Sequence, residues 1–118
     1  MPVIERSTVI DAPVEKVFAI LDDPHRLPQY APGVSRVEEV QQSEQRLGDT
    51  VRTVYSVLGL EFPIKLTTRE HARPQRLTSE FEGAMHGTFD WTLQPQDSAT
   101  RTSMRIAYEV AGAYWARR

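Results

Sequence analysis

Ile10-Asp11-Ala12-Pro13-Val14-Glu15-Lys16-Val17-Phe18-Ala19-Ile20-Leu21-Asp22-Asp23 is where the chain changes its period. Just upstream, residues 3–10 (Val-Ile-Glu-Arg-Ser-Thr-Val-Ile) are rich in β-branched side chains and read as a strand with apolar residues on both faces. Within the stretch, Val14, Val17, Phe18 and Leu21 fall at i, i+3, i+4 and i+7, which is one face of a helix. Asp11-Ala12-Pro13 offers a capping side chain and a first-turn proline. Asp22-Asp23-Pro24 ends the helix, because the residue before a proline avoids the α region. Both aspartates therefore read as capping or turn residues. Residues 25–31 predict a short second helix, closed by Pro32-Gly33.

From Val34 onward period two takes over. Strands are predicted over 34–42, 48–58, 61–71, 76–82, 88–94 and 100–110. Val51, Thr53, Tyr55 and Val57 share a face opposite Arg52. Phe62, Ile64, Leu66 and Thr68 lie opposite Glu61, Lys65 and Arg69, and Pro63 marks an edge or bulge. Leu77, Ser79 and Phe81 oppose Thr78, Glu80 and Glu82, while Phe89, Trp91 and Leu93 oppose Asp90. Met104, Ile106, Tyr108 and Val110 oppose Arg105 and Glu109. Residues 71–75, 83–87 and 95–98 are predicted loops or turns. One face is dry and one wet, and short connections make successive strands antiparallel neighbours. The simplest arrangement joins the first strand to the edge of this meander and curls the sheet around a helix. The expected fold class is α+β, one domain over residues 1–118, with a curved seven-stranded antiparallel sheet and short N-terminal helices.

Composition excludes several functions. There is no cysteine, hence no disulfide and no thiolate metal site. A formal net charge of -2 gives no reason to expect nucleic acid or an anionic membrane. No run approaches the roughly 18 apolar residues of a membrane span, and no signal-peptide stretch opens the chain, so a cytoplasmic protein is expected. His25, His71 and His86 lie far apart in predicted loops or strand ends, so neither a metal nor a cofactor is expected. Among the inward residues, Thr53, Tyr55, Thr68, Ser79 and Thr102 carry hydroxyls that need partners when buried. A mostly apolar face with a few such groups is the lining of a ligand pocket.

Three segments resemble a known family. They are Ile10 to Asp23, Leu27-Pro28-Gln29-Tyr30-Ala31-Pro32-Gly33-Val34, and Gly87-Thr88-Phe89-Asp90-Trp91-Thr92-Leu93 with Pro95 beyond it. Together they are similar to the START/Bet v 1-like helix-grip superfamily, in its bacterial polyketide cyclase/dehydrase and lipid-transport branch. The resemblance implies a seven-stranded sheet gripping a long C-terminal helix, with a hydrophobic pocket between them. That helix needs about 20 residues, or about 30 Å at 1.5 Å each, and only residues 111–118 follow the last strand. The long C-terminal helix is therefore expected to be missing or truncated; if the chain ends at Arg118, a homodimer contact or segment exchange is the expected cover for the inner face.

The expected function is binding or carrying a small hydrophobic molecule, such as a lipid, isoprenoid or polyketide. The expected lining is Phe18, Leu21, Leu27 and Tyr30 from the helices, with the inward residues of the strands from Val51 to Tyr108. Two alternatives stay open: a cyclase or dehydratase, and an interaction domain with a filled core. Chemistry needs an acid or base inside the pocket; the inward candidates are Tyr55, Tyr108 and Glu70, with Tyr30 placed to gate a mouth.

Overall fold

The computed structural model describes residues 2–31 and 33–110; the expected C-terminal helix falls in residues 111–118, outside the described residues. The described chain runs β1 (Val3–Ile10), α1 (Val14–Leu21), a 3-10 turn (Pro24–Arg26), α2 (Leu27–Tyr30), then β2 (Val34–Gln41), β3 (Thr50–Val57), β4 (Leu60–Ala72), β5 (Arg76–Gly83), β6 (Met85–Gln96) and β7 (Ala99–Val110). One antiparallel sheet holds all seven strands in the order β1-β7-β6-β5-β4-β3-β2. The meander is as the alternation predicts, and β1 closes against β7 over eight consecutive residue pairs.

Both helices sit on the inner face. Val17, Phe18 and Leu21, the predicted stripe of α1, bury themselves against Leu77 and Leu93. Phe18 is fully buried, which at roughly 1.5–3 kcal/mol makes it a main anchor of the helix to the sheet. A second cluster of Leu27, Ala31, Ile64, Phe81, Phe89 and Met104 gathers Tyr55, Ile106 and Tyr108 around it. Asp11 supplies no capping bond; Pro13 occupies the N-cap position with extended backbone. Asp23 does cap, its Oδ1 accepting from the His25 N–H at 3.1 Å.

Four sequence expectations are corrected. The turn expected at 83–87 narrows to Ala84, because Gly83 pairs outward with Ile64 and Met85 and His86 pair with Val110 and Glu109. Val57 is 40% exposed rather than lining a pocket, since it abuts the Leu58–Gly59 hairpin tip. Glu70 does not face inward. The register of β4 against β5 slips between Thr68 and Glu70, and such a bulge moves every later side chain to the other face. Glu70 therefore points to solvent beside Arg76, 3.7 Å away. His71, expected at the boundary of strand 61–71 and loop 71–75, becomes an inward strand residue opposite Leu77.

Candidate functional site

The inner face forms a trough between the helices and strands β3 to β6. Its apolar wall comprises Leu21, Leu27, Tyr30, Val51, Leu66, Leu77, Phe89 and Trp91. Trp91 stands edge-on to Tyr30 at 5.6 Å between centroids and tilts against Phe89 at 5.3 Å. In the floor, Thr68 and Ser79 are directly paired across β4 and β5, so two hydroxyls lie side by side among apolar groups. The free volume of the trough is about 50 Å³, room for a few waters but well short of the roughly 150 Å³ that admits benzene. A larger guest has to lie along the open inner face. A wider hollow of about 460 Å³ opens on the outer face, but its walls are Thr67, Arg69, Glu80, Glu82, His86 and Thr88, with Phe81 its one large apolar group.

One end of the trough is polar, and alternation does not reveal it. Asp22, at the C-cap of α1, has an 8% exposed side chain. It accepts Arg46 Nη2 at 2.9 Å and Nη1 at 3.2 Å. Arg46 Nη2 also donates to the Asp22 carbonyl at 3.0 Å. On its other side Arg46 Nε lies 3.1 Å from Asp49 Oδ2. That contact is an ion pair without hydrogen-bond alignment, since neither atom has a hydrogen-bond partner. Asp49 Oδ1 accepts the Ser43 N–H and hydroxyl at 2.9 and 2.8 Å. His71 completes the group with Nε2 3.1 Å from Asp22 Oδ1 and its ring edge-on to Phe18. Asp22, Arg46 and Asp49 line the trough with Pro24 and Gln42. None of these five belongs to the lining expected from sequence.

The remaining expected site residues separate by place. Phe18 is core. Ile64, Phe81, Met104, Ile106 and Tyr108 lie in the adjoining cluster, beyond the trough wall. Thr53 is buried, and its hydroxyl donates to the Ile64 carbonyl at 2.9 Å, so it is spent within the sheet. The Thr102 hydroxyl is buried without a partner. Phe62 is half-buried opposite Tyr55. The Tyr55 ring covers Gly33, where a Cβ would come 2.0 Å from Cε2. Tyr30 is tethered rather than swinging, its hydroxyl donating to the Leu21 carbonyl at 2.7 Å. Burial first, and then the Asp22 and Asp23 carboxylates, push that phenol above its ordinary range. It is therefore a fixed neutral donor. Among the described residues no group of three or more His, Asp or Glu could hold a metal ion, and no helix is long and apolar enough to cross a membrane.

A family model described as polyketide cyclase / dehydrase and lipid transport matches residues 1–117. The chain belongs to that family. Solved structures carry the same helix-grip fold at low identity. A protein of Thermus thermophilus superposes with a TM-score of 0.80 and 21% identity, over 98% of this chain and 82% of its own. A START superfamily protein of Mycobacterium smegmatis gives 0.78 and 13%, over 92% and 77%. The Zhui aromatase/cyclase of a Streptomyces species gives 0.70 and 17%, over 96% and 72%. No curated protein matches the sequence. At these identities the structural likeness establishes the fold, the helix-grip of the polyketide cyclase/dehydrase family, and not the ligand.

Proposed function

We propose that the chain binds a small, mostly apolar molecule with one polar end. The body of the guest lies on Val51, Leu66, Phe89 and Trp91, and its polar end meets the Thr68 and Ser79 hydroxyls beside the Asp22–Arg46–Asp49 group. The observation that carries this reading is the pair of adjacent hydroxyls in an otherwise apolar floor. Both hydroxyls are half-buried, and covering them with an apolar guest costs free energy unless the guest bonds them, so the site suits a partner with a polar end. Family membership supports the same reading. Binding is favoured over catalysis because Glu70 faces solvent and Tyr55 and Tyr108 sit outside the trough wall. The Asp22–His71 pair is the one arrangement that favours the cyclase/dehydratase alternative, and His71 does not line the trough.

The test is thermal and chemical unfolding with a medium-chain fatty acid, a flavonoid and a naphthalene sulfonate dye, each added separately. A true ligand at 100 times its dissociation constant stabilises by about 2.7 kcal/mol. Ser79→Leu, which fills the floor, abolishes that gain while leaving the free protein folded. A Ser79→Leu variant that still binds as tightly as the parent overturns the placement of the site.

A further inference from the structure

The two edges of the sheet are unequal. β2 is broken by two register shifts against β3 and is packed by α2, and bulges of this kind block an edge from pairing. Among the described residues β1 has no such protection. It runs eight residues in unbroken register with β7, contains no proline, glycine or lysine, and leaves Val3, Val9 and Ile10 exposed.

The direction of its free hydrogen-bonding groups follows from one bond. Tyr108 donates its N–H to the Pro2 carbonyl at 3.0 Å, which makes Pro2 and Tyr108 a hydrogen-bonded pair. In an antiparallel ladder such pairs recur at every second residue. Ile4, Arg6, Thr8 and Ile10 therefore spend their backbone groups on β7, and Val3, Glu5, Ser7 and Val9 present theirs outward. The Arg6 guanidinium donates to the Glu5 carbonyl at 2.8 Å, as an unclaimed edge carbonyl allows.

We infer that β1 is a dimer edge, at which a second copy of this chain pairs antiparallel across a two-fold axis at Ser7 and continues the sheet to fourteen strands. The sequence of β1 favours this register over the two centred just before it, and an axis at Thr8 pairs only residues 6–10 where the Ser7 axis pairs residues 4–10. An axis at Glu5 sets glutamate against glutamate, and an axis at Arg6 sets arginine against arginine. Both carry the penalty of like charges directly opposite. With the axis at Ser7, Ser7 meets Ser7, Glu5 meets Val9, Arg6 meets Thr8 and Ile4 meets Ile10. The small Ser7 side chain suits the axis: its hydroxyl already leans back onto its own sheet, 3.2 Å from Ser103 Oγ and 3.3 Å from Arg101 Nη1. The expectation from sequence puts a second copy over the open inner face; the edge geometry offers it this other place. A ladder this short buries less than a standard interface, so the dimer is weak and concentration-dependent.

Because the chain has no cysteine, single cysteines report the register. Ser7 and its symmetry mate face each other as a hydrogen-bonded pair about 5.5 Å apart at Cα, within disulfide range. Under mild oxidation Ser7→Cys is expected to give a covalent dimer with a yield about tenfold above Glu5→Cys. In the latter the two sulfurs sit four residues out of register, roughly 13 Å apart. An equal mixture of Glu5→Cys and Val9→Cys is expected to cross-link. Ser7→Pro removes an outward N–H and the exposed hydroxyl contacts to Ser103 and Arg101 but no ladder bond to β7, so it is expected to stay folded, with its melting temperature within a few degrees of that of Ser7→Ala, and to sediment as a monomer at every concentration where Ser7→Ala still dimerises. A parent chain that stays monomeric to about millimolar concentration in sedimentation equilibrium overturns the proposal. So does cross-linking of Glu5→Cys as fast as that of Ser7→Cys.

Discussion

Replacing Asp22 by alanine tests whether the polar end of the trough is a structural tie or a surface decoration. The carboxylate holds two Arg46 nitrogens and faces His71, with its side chain 8% exposed and that of Arg46 24% exposed. Removing one partner of a buried ion pair costs about 3–5 kcal/mol, most of it the penalty of the charge left behind. In Asp22→Ala the cation keeps Asp49 3.1 Å from Nε, so the lower end applies, about 3 kcal/mol. Arg46→Ala leaves two buried carboxylates without their shared cation, so the loss approaches about 5 kcal/mol. The control is Glu61→Ala. Arg36 and Glu61 meet at 2.6 Å, a shorter contact than any in the Asp22 group, but both side chains are half exposed. Water screens that pair, so its removal costs little beside the loss of the buried one. Urea unfolding followed by circular dichroism reads all three, provided the slope with denaturant is unchanged. In melting temperature the Asp22→Ala loss corresponds to roughly 10–15 °C for a chain of this length. Equal losses for Asp22→Ala and Glu61→Ala would refute the reasoning, because burial would then carry no weight over distance.

Two further outcomes follow from single contacts. The Tyr30 phenol has its pKa raised on folding, mainly by burial, so the folded state holds its proton where the unfolded state has lost it. The stability this contributes is fully present below about pH 10 and falls above it by about 1.4 kcal/mol per pH unit; Tyr30→Phe removes that alkaline slope in pH-dependent melting, and an unchanged slope contradicts the assignment. At Gly87 an added Cβ would stand 1.9 Å from the Ala107 carbonyl oxygen across the β6–β7 ladder. Both sides of that clash are backbone, so Gly87→Ala forces the strands apart at a cost of about 3 kcal/mol or more; a loss below about 1 kcal/mol in urea unfolding means that the two strands are less tightly paired there.

The meander was legible because period two repeats through six strands, and a one-residue error in any of them would turn its apolar set to water. Thr68, Ser79, Phe89 and Trp91 were placed correctly on that ground alone. Parity failed at Arg69, where no glycine or proline marks the bulge. The slip is set by pairing with β5, a tertiary event. From the sequence, Glu70 looked like an inward carboxylate and His71 the last residue before a loop; the bulge turns Glu70 outward and His71 inward within β4. The β1 edge was opaque for a different reason. Its mixed faces hide which residues bond β7, and only the Tyr108–Pro2 bond resolves it.

The two halves of the trough differ in how they are specified. Its floor is built from regular strands, where side-chain direction follows from position. Its polar end is built from departures from regularity. Asp22 is a helix C-cap, Arg46 holds a left-handed backbone at φ 67°, Asp49 caps its own loop by accepting Ser43, and His71 is turned inward by a bulge. A non-glycine residue at positive φ carries a cost of order 1 kcal/mol, which surrounding contacts must offset; the paired Asp22 and Asp49 carboxylates do so for Arg46. The four side chains come from three segments, spaced 24, 3 and 22 residues apart. No local pattern can announce such a group, because each member is placed by a contact made only after the sheet has formed. Sequence periodicity therefore identifies where an apolar guest can lie, and irregular backbone fixes which end of it meets charge.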